Sequence, residues 1–570
     1  MPQLPRRREF VIRLASVSAV LGTGGVLSAC GESSDPSVQF DHGVASGDPL
    51  GDRVMLWTHA KPSDGSVQVE LAWEVANDNA FTSVVSNGTV IASESTGFTA
   101  KVDAAGLQPG TSYFYRFRRG GSFSPVGQTR TLPSASVTEV KFAVLSCANH
   151  PAGFFNVYAE AAKSDAQYAI HLGDYIYEYG AGGYASANAA ALGRVPVPAN
   201  ELLTLDDYRR RHAQYKTDVD LKTLHARMPM IAVWDDHEVA NDAWREGAEN
   251  HDPATEGAYS VRRAAAQQAW HEWLPVRTGS DRAKIWRSFD FGGLVSLHML
   301  DTRIFGRDRQ VDQLALAGLA GPQAQAAAYT EFTSPTRQLL GAEQLAWLQG
   351  RMAASSAVWQ VLGQQVLMAR MEFPASVLVA LNPANTSPEA QAAGQAAITA
   401  YLTAKATPAG LRTPEQVALL DPAKNPRLGY NLDAWDGYIV ARETVLASAL
   451  QFGKRLISLA GDTHNAWHSD LTLMGLANPA LANRKVGEEF ATSSVSSPGL
   501  EAYLTIPTAQ TEAIFTGVVD DLNWIDASRR GFLKMTFTAA EARGEWIFID
   551  TIASRSYKAA TGKTAVYTPA

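Results

Sequence analysis

Cysteine is almost missing from this chain: 570 residues contain two, Cys30 and Cys147. A disulfide-stapled fold is therefore excluded, and acylation of Cys30 would leave no bridge possible within one chain. An excess of positive charge is missing too. The formal charge is −8, which argues against a generic nucleic-acid binder, although a local cationic site can still take anionic substrates. Long apolar runs are also lacking. The one candidate span, near the N-terminus, is short and is interrupted by Arg13, Gly22, Gly24 and Gly25, which weakens a membrane-helix assignment. What is present is 46% hydrophobic and 19% charged residues, the composition of a globular protein long enough for two or more domains.

The first 30 residues read as an address. Arg6-Arg7-Arg8-Glu9-Phe10-Val11 is followed by an Ala, Ser and Gly-rich apolar stretch ending in Leu27-Ser28-Ala29-Cys30-Gly31. The segment resembles a twin-arginine (Tat) export signal with a lipobox. That resemblance implies the twin-arginine translocase as export partner and Cys30 as the lipidation site. It also implies a periplasmic or cell-surface location with membrane contact through the lipid. The route carries folded proteins, which suits an enzyme that takes up metal before export.

Residues 31–38 read as a tether. From 39 to 134 the pattern is all-β. Alternating runs such as Val67–Glu74 and Ser112–Arg118 are punctuated by Asp64-Gly65, Asn87-Gly88 and Pro109-Gly110. Leu107-Gln108-Pro109-Gly110-Thr111-Ser112-Tyr113 resembles the turn of a fibronectin type III sandwich, whose expected role is packing or positioning. Residues 135–553 alternate strand and helix, an α/β pattern. Residues 311–330 and 388–420 are expected to be helical insertions placed as lids, and 554–570 a tail or lid.

Six apolar runs in the α/β region end abruptly in polar residues. They lead into Cys147, Gly173-Asp174, Asp235-Asp236-His237-Glu238, Asp301-Thr302-Arg303, more weakly the neighbourhood of Met368 and Arg370, and Gly461-Asp462-Thr463-His464. Ligands of α/β sheets bind beyond the carboxyl ends of strands. Adjacent carboxylates with a histidine repel one another unless a cation lies between them. Thiolate, carboxylate and phenolate, as from Cys147, Asp174 and Tyr177, together with a histidine suit Fe³⁺. Carboxylates and a carboxamide suit Ca²⁺. Zinc, manganese and magnesium remain open at such donors.

At these residues the chain resembles the PhoD-type alkaline phosphatases, within the calcineurin-like metallophosphoesterases. The resemblance is carried by Gly43–Pro49, Ser146–His150, His171–Gly180, Trp234–Glu238, Leu300–Arg303, Asn431–Tyr438, Gly461–Trp467 and Glu489–Gly499. It implies a two-layered β core flanked by helices behind the β-sandwich. It also implies an Fe³⁺ and Ca²⁺ site hydrolysing phosphomonoesters and often phosphodiesters through a metal-bound water or oxo species. Cys147, Asp174, Tyr177 and His464 would hold iron, with Asp174 bridging to Ca²⁺. Asp236 and Asn241 are the favoured Ca²⁺ ligands, with Asp235, Asp242 and Asp462 in reach. Ser146-Cys147 replaces the superfamily's Asp-x-His, and Asp235-Asp236-His237-Glu238 its Gly-Asn-His-Asp/Glu, which sets the site apart from a two-zinc or Fe–Zn centre. His237 is expected to protonate the leaving alkoxide and Arg303 to fork onto phosphate, with Tyr438 and Arg442 on the substrate side. Two alternatives stand beside this. One is a phosphodiesterase or phospholipase D-like enzyme with the same metals. The other is a Cys147–His150 thiol enzyme or surface binding protein.

Overall fold

The computed structural model describes residues 37–569 apart from 135–136, 317, 319–320, 382–386 and 505. The expected export signal, Cys30 and the tether up to residue 36 lie outside the described residues. The architecture is α/β. A nine-stranded and a seven-stranded sheet pack face to face, and helices cover their outer sides. The six apolar runs are all strands. Glu139–Leu145, Tyr168–His171 and Met230–Ala232 run parallel in the first sheet. Val295–Met299, Trp359–Gly363 and Arg455–Ala460 run parallel in the second. Almost every residue of these six strands is buried, which is why they read as unbroken apolar runs rather than alternating ones.

Aromatic side chains join the layers. The Phe142 and Phe291 rings meet edge-on at 5.0 Å, and Phe490 stacks on Trp546 at 5.8 Å. The Trp546 indole donates to Ala491 O across the layers at 2.8 Å. Buried aromatics of this kind carry most of the apolar area of a core while keeping a polar handle to satisfy. The hairpin Arg530–Thr538 and Ala542–Ile549 completes the first sheet beside Glu139–Leu145. The C-terminal segment, expected to be a tail or lid, supplies that sheet's outermost strand, Ala559–Tyr567.

The N-terminal region is a sandwich that shares a sheet with the α/β core. Leu56, Ala100 and Ala104 pack on Leu71, Val75, Tyr115 and Phe117 of the facing five-stranded sheet. The strand Val44–Gly47 then pairs parallel to Met230–Ala232 at Gly47 and Met230. A Cβ at Gly47 would lie 2.4 Å from Met230 O and 2.5 Å from Pro275 O, so only glycine fits the joint. Buried Asp48 follows. It accepts from Arg287 at 2.7 and 2.9 Å and from the Arg277 N–H at 2.7 Å. The Gly43–Pro49 motif is thus a seam between the two parts.

The helix Leu205–Lys216 starts at a capping box in which Thr204 Oγ1 accepts from Asp207 N at 3.2 Å. Two of its three arginines are structural. Arg209 forks onto Glu272 at 2.7 Å, and buried Arg211 donates to the carbonyls of Tyr177, Val197 and Pro198. The insertions fold as helices Gln313–Leu316, Pro322–Phe332, Pro388–Ala406 and Pro414–Leu420. Ile398 and Tyr401 of the longest pack into the core beneath the second sheet. Lys405 there bonds Gly517 O and Asp520. This helix therefore braces the second sheet instead of reaching over the strand ends.

Candidate metal centre

The strand ends of both sheets meet at one place. Five residues there, Cys147, Asp174, Asp242, Asp462 and His464, have positive φ between 52° and 63°. This left-handed backbone is tolerated by Asp and His and is costly for most other residues. It turns the chain sharply where each strand stops. Cys147 N donates to Gly173 O at 3.2 Å and Ala148 N to Asp174 O at 2.8 Å, which locks the first two strand ends together. A Cβ on Gly173 would meet Asp235 Cβ at 2.4 Å. Glycine thus lets the Asp174 and Asp235 loops touch.

Three sets of donor atoms lie within 4.8 Å of one another: Cys147, Asp174 and His464; Asp174, Asp236 and His237; Asp235, Asp236 and Asp462. Asp174 belongs to two of them. Tyr177 joins the first, with its hydroxyl donating to Asp174 Oδ2 at 2.8 Å and lying 3.2 Å from His464 Nε2. His464 Nδ1 is 2.7 Å from Pro498 O. That carbonyl fixes the proton on Nδ1 and leaves the Nε2 lone pair facing the cluster, the usual support behind a ligating histidine. Asp174 Oδ1 and Asp235 Oδ2 are buried with no hydrogen-bond donor. An orphaned buried carboxylate oxygen is expensive unless a cation meets it. The donor set therefore fits bound metal ions, with Asp174 shared.

The electrostatics point the same way. Burial, followed by repulsion from Asp174, pushes the Cys147 thiol well above its usual range. Burial and the neighbouring carboxylates also push Asp235 and Asp462 up, against the pull of Arg303. Asp236 is the exception: burial opposes its charge, but Arg303 and His237 hold it at about 2. A divalent or trivalent cation would reverse the sign for the whole group.

Residues 142–546 match the family described as PhoD-like phosphatase, and residues 26–133 match the PhoD-like phosphatase N-terminal domain. The chain belongs to the PhoD-like phosphatase family. It is 34% identical over 513 residues to alkaline phosphatase D of Bacillus subtilis (strain 168), covering 86% of this chain and 76% of that protein. It superposes on the solved structure of PhoD with a TM-score of 0.73 at 31% identity, covering 94% of this chain and 91% of that one.

Within this PhoD-like phosphatase, most residues singled out from sequence converge, and some do not. Cys147, Asp174, Tyr177, Asp235, Asp236, Asp462 and His464 meet at the centre. His237 lies there too, with Nδ1 2.7 Å from Glu178 Oε2. Burial works against a charged His237 ring, yet Glu178, Asp236 and Asp174 hold it protonated well above the ordinary histidine range. Asp242 N donates to Asp236 Oδ2 at 2.6 Å. The Asn241 carboxamide nitrogen is turned to Glu249 at 3.2 Å, and its backbone N–H donates to Glu178 at 2.8 Å. Cys147 Sγ lies 3.2 Å from Ser146 Oγ, and among the described contacts none joins it to His150, so a thiol–imidazole pair finds no support.

Arginine placement needs correcting. The Arg303 guanidinium is fully buried and bonds Asp235, Asp433 and Asp462. With three carboxylates on it, no free fork remains for phosphate. Asp301 does not pair with the guanidinium but accepts the Arg303 and Ile304 N–H groups at 2.9 and 2.8 Å. Arg442 is buried elsewhere, donating to Met368 O at 2.5 Å and Thr472 O at 3.0 Å. Its helix, Ile439–Gln451, turns it toward those carbonyls and away from the centre. Tyr438 is buried as well, between Arg307 and Arg337, with its hydroxyl on Asp308 O at 2.6 Å.

The supporting roles of three residues around the candidate site were not read from the sequence. Asp433, in the Asn431–Tyr438 motif, takes Arg303 and Arg307. Glu178 orients His237. Glu238 accepts from Tyr175 N and Asp235 N at 2.6 Å and from Asp174 N at 3.1 Å, and so ties two ligand loops together. Their signal was adjacency to the ligand motifs, which does not separate a strut from a ligand.

Proposed function

We propose that this chain is an exported, metal-dependent alkaline phosphatase that hydrolyses phosphomonoesters and also accepts phosphodiesters. The observation that carries the proposal is the shared carboxylate of Asp174. It sits between a sulfur, oxygen and nitrogen donor set on one side and a carboxylate-rich set on the other, with Oδ1 unpartnered. The first set, Cys147, Asp174, Tyr177 and His464, would hold Fe³⁺, a hard ion that accepts thiolate and phenolate. The second, Asp174 and Asp236 with Asp235, Asp462 and the Asn241 carboxamide in reach, would hold Ca²⁺. Bound there, the ions would supply positive charge to the phosphoryl oxygens and lower the pKa of the attacking water.

The protein's own groups do the rest. Protonated His237 is the acid for the departing alkoxide, and Glu178 fixes its ring. Arg303 spaces Asp235, Asp433 and Asp462 so that carboxylates of like charge stay together near the phosphate site. It acts as a positioning residue and not as the phosphate fork. The Arg6-Arg7 and Leu27–Cys30 motifs support export by the twin-arginine route and a lipid on Cys30, placing the enzyme in the periplasm or on the cell surface.

The test is a panel on purified protein: a nitrophenyl phosphate, its bis-ester, elemental analysis and chelation. The expected result is turnover of the monoester, iron and calcium in the active protein, and loss of activity on chelation. Monoester inactivity would reject the phosphatase assignment, and full activity in metal-free protein would reject the metals. Mass spectrometry of the exported form should show an acylated Cys30; an unmodified first residue downstream would remove the anchor.

A further inference from the structure

The segment that follows Asp174 carries more tyrosine than the metal cluster uses. Tyr177 is buried among the donors, but Tyr179 and Tyr184 are partly exposed, and Tyr503, from a distant loop, is 48% exposed. The Tyr179 and Tyr184 rings lie together beside the centre, and Tyr503 reaches Tyr184 through its hydroxyl. Tyr184 is 5.9 Å from Tyr177 and 6.4 Å from His237, with its plane 11° from that of the imidazole. Tyr179 is 5.7 Å from Tyr184 and 5.5 Å from His237. The Tyr503 hydroxyl donates to the Tyr184 oxygen at 2.9 Å, and the Tyr184 hydroxyl is 3.3 Å from both Pro498 O and His464 Nδ1. A chain of hydroxyls therefore holds Tyr503 and Tyr184 in place, while Tyr179 packs on Tyr184 and His237 through its ring.

A core function explains Tyr177 but not Tyr503. Its ring is half exposed, and among the described residues it has no aromatic neighbour in contact and one hydroxyl partner, Tyr184. Half-exposed phenols held by their hydroxyls present rigid faces at low entropic cost, the property that makes tyrosine common in binding surfaces. The other partly exposed groups around the cluster include Asp242, Asp433 and Asp462, which would repel an anionic alcohol portion. The leaving oxygen must lie near His237 to take its proton, and both Tyr179 and Tyr184 adjoin that ring.

We propose that Tyr179, Tyr184 and Tyr503 form a subsite for a flat, unsaturated ring in the alcohol portion of the phosphate ester. The enzyme then selects aryl or nucleoside esters over aliphatic ones. This rests on the phosphatase assignment above. During hydrolysis the bond from phosphorus to the alcohol oxygen breaks, water supplies the new oxygen, and the departing oxygen takes the His237 proton while its ring rests on the tyrosines.

The experiment compares kcat/KM for phenyl phosphate, AMP and glycerol 3-phosphate in the parent enzyme, Tyr503→Leu, Tyr503→Phe and the Tyr179→Leu/Tyr503→Leu pair. Tyr184 is left intact because it touches His464. Phenol is intrinsically a better leaving group than glycerol, so the readout is the change in the ring-to-glycerol ratio on mutation. Stacking of a base on an aromatic side chain typically changes affinity by about ten-fold or more. The ratio should therefore fall about ten-fold in Tyr503→Leu, mostly through KM, further in the pair, and within about two-fold of the parent in Tyr503→Phe. A fall for phenyl phosphate or for AMP supports the subsite and identifies which ring reaches it. An unchanged ratio for both esters in the pair overturns it. Absence of turnover with any of the three esters in the parent removes the phosphatase assignment and this subsite with it.

Discussion

Replacing Glu238 by glutamine tests whether the centre depends on a strut as much as on its ligands. Glu238 is 2% exposed. It has no cationic partner among the described residues and spends its carboxylate on backbone. Oε2 accepts Asp235 N at 2.6 Å and Asp174 N at 3.1 Å, and Oε1 accepts Tyr175 N at 2.6 Å. Burial and the charge of Asp174 push this carboxyl up to about 8, so a cation on Asp174 also keeps Glu238 ionised. Glutamine has nearly the same shape but one acceptor. Placed to keep the two bonds at Oε2, it sets its NH₂ against Tyr175 N–H, leaving a buried donor unpaired at about 1–3 kcal/mol. The strain falls on the turn that carries Asp174 and Tyr177. Misplacement of reacting groups by about 1 Å costs roughly 100-fold in rate. Glu238→Gln should thus lose metal on dialysis and turn over nitrophenyl phosphate about ten- to a hundred-fold more slowly, with far-ultraviolet circular dichroism unchanged. A variant with the parent's metal content and rate would refute the argument that loop registration by Glu238 sets the site.

Other perturbations follow from the same geometry. Chelation should lower the unfolding midpoint as well as activity, because ions that bind only the folded state stabilise it by mass action; an unchanged midpoint would argue that no ion sits among these carboxylates. Iron held by Cys147 and Tyr177 should give a visible charge-transfer band that Tyr177→Phe bleaches or shifts, and an identical spectrum would clear Tyr177 of ligation. Arg303→Met should destabilise by about 3–5 kcal/mol in urea, the typical cost of removing one partner from a buried ion pair. Arg303→Lys should recover little, since an ammonium lacks the planar fork; full recovery would show that charge alone suffices. At the seam between sandwich and core, His42 Nδ1 and His59 Nδ1 are 3.0 Å apart and share one proton. Burial, with Lys216 and Lys222, lowers His42 to about 4, and burial, with His42, lowers His59 to about 3. Folded values below the unfolded 6.5 mean that stability is full above pH 6.5 and is lost as pH falls toward 4. His42 alone contributes on the order of 3 kcal/mol. Denaturation midpoints that stay flat between pH 7 and 4.5 would contradict this.

Much of the fold was legible because burial on both faces leaves a plain mark in sequence. The six apolar runs became six parallel strands, and the alternating N-terminal runs became the sandwich. The candidate ligands were legible for a related reason. A carboxylate, thiol or imidazole placed just after such a run has nowhere to go but the sheet edge, as Cys147, Asp174, Asp236, Asp462 and His464 show. Long side chains were much less legible. Arg303, Arg442 and Arg211 all follow or precede site motifs, yet their heads sit many bonds from the backbone, where neighbouring carbonyls and carboxylates decide direction. Arg442 turned to the Met368 and Thr472 carbonyls, Arg211 to the Tyr177 carbonyl, and Arg303 to Asp433. The joint between the two parts was also hidden, because the Gly47–Met230 pairing is long-range and leaves no local periodicity.

The left-handed residues at the centre bring the two halves of this argument together. Strain of this kind costs of order 1–3 kcal/mol for a residue other than glycine and persists where the surroundings over-determine it. Glycine would relieve it at Cys147, Asp174, Asp242, Asp462 and His464, yet each position holds a side chain that can donate to a cation. Gly173, with φ of 105° between Leu172 and Asp174, has no donor to supply; left-handed backbone also occurs away from the centre at Phe81, Phe98 and Ala185, so what marks the centre is that all five of its left-handed non-glycine residues carry donors. Folding energy alone would favour glycine at all of these turns. The choice of thiol, carboxylate and imidazole at turns suited to glycine is therefore better explained by binding energy recovered when a cation joins the folded chain. On that account the folded protein and its metal centre are thermodynamically one system, with the shared carboxylate of Asp174 as the link.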